Sequence, residues 1–403
     1  MLRPLAIALT CLAAAAAPAA GADRMIIKGA GWGHGIGMSQ FGAYGYATHG
    51  FDYKTILHNY YSETSLGTAD QATQIRVLLH STRSLSFSGA ASMSGRKLSA
   101  TRTYKVTASG DKVFLRSGSN RVLLSDAALR ATPRPGGKLR IGGTSSSGLR
   151  NGLYRGALEV RASGSRVLVI NAVSLESYVR GVISAESPAT WPAEALKAQA
   201  VAARTYAITT KAGPTLGFEQ YADTRSQMYR GVAAERPSTD AAVAATKGEV
   251  VTYGGRPAVT YFFSTSGGHT ENIEYSFIGA LPKPWLRGVD DPFDDASPKH
   301  RWTVEMSLAS ADAKLGSLVK GKLKAIKVLK RGVSPRIVRA QVVGTEGTTE
   351  VTGPALRKTF GLNDTWASFQ VVDSAGKAEP GQDEPPAEPL PPAEAGGQPP
   401  PRR

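Results

Sequence analysis

Residues 174–210 read SLESYVRGVISAESPATWPAEALKAQAVAARTYAITT, two helical patterns around a short break that holds one carboxylate, Glu186. Before the break, Leu175, Tyr178, Val179, Val182 and Ile183 recur at helical spacing. Ser174 stands where an N-cap belongs, and Glu176 lies in the first turn, where the helix dipole favours an acid. Pro188 and Pro192 then interrupt. Pro192 suits the first turn of a second helix that continues through Glu194 into an Ala-rich run. Glu186 is thus expected at or just past a helix C-terminus, whose partial negative charge disfavours an ionised carboxylate and raises its pKa. A carboxylic acid held protonated near neutral pH is what a general acid requires. The alternative is an acid that satisfies helix-end N–H groups or pairs with Arg204. Lys197 and Arg204 share a helix face, and a role in pairing with acids of the fold is favoured over one in meeting a ligand.

Composition bounds the rest. The 403 residues suffice for a large core and two lobes. Arg3, the apolar run 5–17 and Ala20-Gly21-Ala22 read as a signal peptide over 1–22, so export to the cell envelope is expected, with no membrane-spanning segment after its removal. The one cysteine, Cys11, lies inside that segment, so the mature chain is expected to have neither a disulfide nor a thiolate metal site. The formal charge of +16 suits an anionic polymer. Its cations are scattered rather than gathered in an arm, so an envelope polymer ranks ahead of nucleic acid.

Upstream, residues 26–38 read IIKGAGWGHGIGM, with glycine at 29, 31, 33, 35 and 37. Period two is the strand period, and it predicts an extended segment with one bare face open to close approach by backbone or sugar. The spacing does not match a dinucleotide loop. Ser39 can cap a helix to about Thr48, and Asp52 another to about Tyr61. From 74 to 173 short β runs separated by Gly, Ser and Asn predict an antiparallel lobe. Beyond the central helices, Asp223, Thr224, Gln227 and Tyr229 cluster near a strand end, and 258–266 reads as a strand. It runs into STSGGHTENIEY (264–275), where hydroxyls at Ser264, Thr265, Ser266 and Thr270 suit a polyhydroxylated ligand or a self-capped turn. Asp290, Asp291, Asp294 and Asp295 lack calcium-loop spacing and predict a surface loop. From Ser374 the chain is Pro-, Glu-, Gly- and Ala-rich, a composition expected of a disordered tail.

The motifs AESPATWPAEALKAQAVAARTYA (185–207), DTRSQMYRGV (223–232), FFSTSGGHTEN (262–272) and GWGHGIGMSQFGA (31–43) together resemble the SpoIID/LytB family of bacterial cell-wall proteins. The resemblance covers most of residues 26–370. It implies an α+β fold of mixed helices and mainly antiparallel sheets, a catalytic core with an inserted β-rich lobe. The expected divisions are a signal peptide (1–22), a Gly-rich segment with helices packing on the core (23–73), a β-rich accessory lobe (74–165), a SpoIID-like catalytic core (166–305), its C-terminal part (306–373) and the tail (374–403). One kind of member is a lytic transglycosylase, which cleaves peptidoglycan glycan strands and leaves 1,6-anhydro-N-acetylmuramic acid ends. The Glu of its ExPxxW-like motif, the catalytic acid, corresponds to Glu186. The other kind enhances an N-acetylmuramoyl-L-alanine amidase, so peptidoglycan glycan strands and a cell-wall amidase are the implied partners. His34, Ser39, Gln40, Asp223, Gln227, Ser264, Ser266 and Thr270 are the expected sugar-positioning residues. Some clostridial members bind zinc through His and Cys near the DT…Q-Y stretch; residues 218–229 contain neither, so no metal and no cofactor are expected. In relatives the GWGHG-like segment often follows the Glu motif, whereas here it precedes it. A circularly permuted core is then expected to bring residues 25–29 beside 366–372, and residues 31–40 close to Glu186.

Overall fold

The computed structural model describes residues 23–118 and 121–373; the expected signal peptide with Cys11 and the expected tail lie outside them. The described residues fall into two units, one built from 23–30 and 301–373, the other from 31–300. The fold is α+β, with sheets that are mainly antiparallel.

In the first unit the strand Arg24–Ala30 lies between Arg301–Ser307 and Ala367–Val372, antiparallel to both. Its register with the latter runs from Arg24↔Val372 to Gly29↔Ala367, which is the pairing expected of a permuted core. Close approach explains the glycine: a Cβ on Gly29 would stand 2.3 Å from the Trp302 ring. A second sheet, Leu323–Arg331, Ile337–Gly344 and Gly347–Thr352, shares a core with the helices Leu308–Leu315 and Gly353–Phe360. Arg336 is buried and held by Asp364 through two 2.9 Å bonds, so its charge stays compensated.

The second unit is organised around the helix Ala193–Thr209. Most of its residues are buried on every side, and the Ala run lets other elements approach closely. Against it pack the helices Gln40–Thr48, Tyr53–Tyr60, Leu175–Arg180 and Pro237–Ala245 and the strand Glu249–Tyr253. The caps stand where residue type puts them: Ser39 accepts from the Gly42 amide (3.1 Å), Asp52 from Thr55 (2.8 Å) and Ser174 from Ser177 (3.4 Å).

A seven-stranded sheet and a six-stranded sheet share one core with this helix. The strand Arg166–Ser174 is central in the larger sheet, between Gln74–Thr82 and Ala157–Ser163. It is buried from 167 to 173 because both its faces are covered, one by the main core and one by Phe218 over Leu168 and Ile170. The sheet therefore runs across the boundary expected at 165.

Two expectations are corrected. The glycine run is extended only as far as Ala30, within the strand Arg24–Ala30; beyond it Gly31, Gly33, Gly35 and Gly37 all take positive φ, from +72° to +138°. That conformation turns the chain so that only a bridge, Trp32 to Thr265, and a short parallel pairing of Met38–Ser39 with Phe262–Phe263 remain. Within 258–266 only Phe262–Phe263 is strand. The acidic loop is also not wholly on the surface: Asp290 and Asp295 are exposed, but Asp291 and Asp294 are fully buried.

Candidate functional site

Glu186 ends a one-turn helix, Ile183–Glu186, separated from Leu175–Arg180 by Gly181 and Val182. The residue is half-buried. Its Oε1 accepts a 2.6 Å hydrogen bond from the Met228 amide, and the Gln40 side chain also bonds it. Gln40 Nε2 reaches the Glu186 carbonyl at 3.2 Å and Gln199 Oε1 at 3.4 Å. Ser187 Oγ donates to the same Gln199 oxygen at 3.4 Å. Burial raises the Glu186 pKa, and the Met228 and Gln40 bonds oppose that shift without cancelling it. The physical cause is thus desolvation, where the sequence pointed to a helix dipole; a single turn is too short to build one.

Arg204 does not touch this acid. It is fully buried and holds Glu176 through two 2.9 Å bonds, while Lys197 pairs with Glu194 at 2.6 Å. Both cations therefore serve the fold. Among the described residues no ion pair reaches Glu186.

The GWGHG-like segment arrives at the acid through its last residues. Gln40 bonds Glu186, and the next turn of its helix places Phe41 and Tyr44 against Trp191, each with a 5.2 Å ring separation. The two ends of the ExPxxW-like motif are therefore both in contact with residues 40–44. Tyr178 and Tyr206 lie in the electrostatic reach of Glu186, whose charge raises the pKa of each phenol in addition to burial.

The other expected site residues divide. Gln227 is buried; it accepts from the Tyr178 hydroxyl (2.8 Å), which fixes the loop whose next residue, Met228, binds Glu186. Asp223 begins that loop and is clamped to Arg225 by bonds of 2.8 and 2.7 Å, which hold its carboxyl below the usual range. Arg225 also stacks on Tyr221, its guanidinium 3.8 Å from the ring centre. His34 sits among Tyr261, Phe263 and Phe277, and Tyr261 in turn meets Tyr206 at 5.9 Å. His34 Nδ1 accepts from the Ile36 amide, so in the neutral ring Nε2 carries the proton. Gly33 must be glycine here, since a Cβ would lie 2.7 Å from the Phe263 side chain. Ser264 is half-buried, with its carbonyl on the Phe41 amide (3.0 Å).

Ser39, Ser266 and Thr270, expected to present hydroxyls to a ligand, are instead fully buried. Ser39 caps its helix, Thr270 accepts from the Val289 amide (2.8 Å), and Ser39 and Ser266 both bond Asp291. Asp291 also accepts from Tyr60 (2.8 Å), and its pKa is pushed up to about 7 by burial and by the charge of Asp294. Sequence reading missed Met228, Tyr206, Gln199, Phe41 and Tyr44. Tyr206 and Gln199 fall on the inward stripe of the Ala-rich helix, where helical spacing marks core rather than site, and a backbone amide carries no residue-type signal. Trp191 was marked by the motif alone. No group of three or more His, Cys, Asp or Glu among the described residues is placed to hold a metal ion.

Residues 163–253 match the family model SpoIID, described as stage II sporulation protein. The stage II sporulation protein D of Bacillus subtilis (strain 168) is 33% identical over 210 residues, 48% of this chain and 60% of that protein. The protein of the same name from Bacillus amyloliquefaciens is 31% identical over 224 residues, 51% of this chain and 62% of its own length. An amidase enhancer of Bacillus subtilis is 37% identical over 142 residues, 35% of this chain and 19% of its own length. The chain thus spans under two thirds of the sporulation proteins and about a fifth of the enhancer. The stretch that matches the SpoIID model, residues 163–253, includes Glu186 and the long helix behind it.

Proposed function

We propose that this is an exported, envelope-located protein that acts on peptidoglycan as a lytic transglycosylase, with Glu186 as its catalytic acid and base. The observation that carries the reading is the state of Glu186: half-buried, hydrogen-bonded only to neutral groups, and raised in pKa by burial. Such a group keeps its proton at pH values where an ordinary glutamate has lost it. The protonated carboxyl gives its proton to the glycosidic oxygen as the bond to C1 of the muramic acid breaks. The resulting carboxylate then takes the proton of that sugar's C6 hydroxyl while its oxygen bonds C1. The ring closes as a 1,6-anhydro product, Glu186 regains its proton, and no water is consumed. One carboxylate suffices, whereas hydrolysis by most glycosidases needs a flanking pair. The Met228 amide and Gln40 orient the acid, and Tyr206, Tyr261 and His34 offer ring faces and polar edges for the sugar.

The test is mass spectrometry of the products that the purified protein forms from peptide-free glycan strands. Anhydro-muramyl ends are expected, and Glu186→Gln should lose them; an unchanged product from the variant overturns the assignment. The second reading is a non-catalytic enhancer of an amidase, favoured by the similarity to the amidase enhancer. It requires that neither protein yield anhydro sugar and that mixing with an amidase raise the amidase's turnover.

A further inference from the structure

The charge of +16 is not used by the Glu186 site, whose bonded groups are neutral. Part of it is gathered on one face of the seven-stranded sheet. Glu159, in the strand Ala157–Ser163, is only 7% exposed, and three arginines from three strands converge on it. Arg76 reaches it at 3.2 Å, Arg161 at 4.0 Å, and Arg130 forms the closest bond. Arg76 also pairs with Glu219 at 3.7 Å. Three cations thus share two carboxylates. Their side chains keep 38%, 41% and 40% of their surface, so each holds a fixed place and still faces solvent.

Two troughs flank this cluster. One, of about 440 Å³, is lined by Arg130, Thr132, Arg134, Arg155, Ser174 and Ser177, and no acidic residue lines it. The other, of about 520 Å³, is lined by Arg161, Ala128, Ser163, Thr215 and Leu216, with Asp111. Arg134 is exposed and makes no ion pair among the described residues. Arg161 is packed under Gly217, where a Cβ would come 2.6 Å from the guanidinium carbon, and its Nε is buried without a hydrogen-bond partner among the described residues. Guanidinium groups fixed by a shared carboxylate lose little freedom when they bind a second anion.

We infer that the two troughs on either side of Glu159 form a binding surface for a flexible polymer that repeats anionic groups, carboxylate or phosphate. This surface is separate from the Glu186 chemistry and does not depend on it. It would hold the protein on the anionic envelope, with affinity set by ion pairing and therefore by salt.

The experiment measures binding of the full chain carrying Glu186→Gln, so that cleavage cannot intervene. The probes are fluorescently labelled poly(glycerol phosphate), polygalacturonate and a neutral chitin oligosaccharide, each over a series of salt concentrations. Binding to the polyanions is expected to weaken steeply with salt, and tighter binding of one of them identifies phosphate or carboxylate as the preferred group. Arg134→Gln and Arg161→Gln should each weaken binding about fivefold, the effect of one cation near an anionic surface. Arg256→Gln, at an exposed position in the strand Arg256–Pro257, should leave it unchanged. Equal losses from Arg256→Gln and Arg134→Gln would mean diffuse charge only and would overturn the site. So would absence of polyanion binding, or equal binding of the neutral oligosaccharide. Arg134 lies on the surface, so its variant keeps the test open should Arg161→Gln fail to fold.

Discussion

Glu186 and Asp291 lie in the same unit, and burial raises the pKa of both, yet their surroundings differ. Asp291 is fully enclosed, beside a second buried acid, and serves as a hub for Tyr60, Ser39 and Ser266. Glu186 keeps part of its surface and is held by one amide and one glutamine. A raised pKa therefore marks a carboxyl that the fold has desolvated, and access decides whether a substrate can reach it. Asp291 ties the start of the 40–48 helix to the 264–270 turn, while Glu186 ends its helix half-buried and bonded to the Met228 amide and Gln40.

The contrast predicts opposite mutational signatures. Glu186→Gln should lower the rate of anhydro-sugar release by about 10²–10⁴-fold and leave the thermal midpoint nearly unchanged, as measured by product analysis and calorimetry. A large loss of stability with activity intact would break the comparison. Asp291→Asn should do the reverse, changing stability and its pH dependence and leaving the Glu186 chemistry intact. The sign follows from linkage. The folded pKa is about 7 against 3.8 for an ordinary aspartate, so between these values the folded state binds the extra proton. Stability contributed by this group is fully present below pH 3.8 and falls as pH rises towards about 7. The midpoint of Asp291→Asn relative to the natural protein should then be less unfavourable at pH 8 than at pH 4, by about 1–4 kcal/mol in stability. An equal difference at both values would show that Asp291 shares no proton with the fold.

Smaller effects sharpen the Glu186 half. Gln40→Ala removes a bond that lowers the Glu186 pKa, so the alkaline limb of the cleavage profile should move to higher pH. Its rate below that limb should drop about tenfold through lost positioning. An unmoved limb would remove Gln40 from the site. Ser39→Ala should cost about 1 kcal/mol through the lost cap, read as a shift in denaturant midpoint with kcat retained.

Much of the fold was legible because its signals are local. Ser39, Asp52 and Ser174 name their own helix starts, and Pro192 stands just before the long helix. The glycine run was misread because period two fits an extended face as well as a succession of positive-φ turns, and only the contacts with Tyr261 and Phe263 select the second. The acids at 291 and 294 look like a surface loop because burial of a charge depends on partners such as Tyr60, 231 residues away from Asp291.

By itself the sequence determined where the helices begin, which acid stands at the break and which motifs accompany it. Those properties follow from backbone propensity and residue type within a few positions. The tertiary structure alone decided that Gln40 meets Glu186 across 146 residues of chain, that Arg204 is taken by Glu176, and that Asp291 is closed off while Glu186 is not. Desolvation and pairing are set by which distant segments pack together, and no local pattern carries that information.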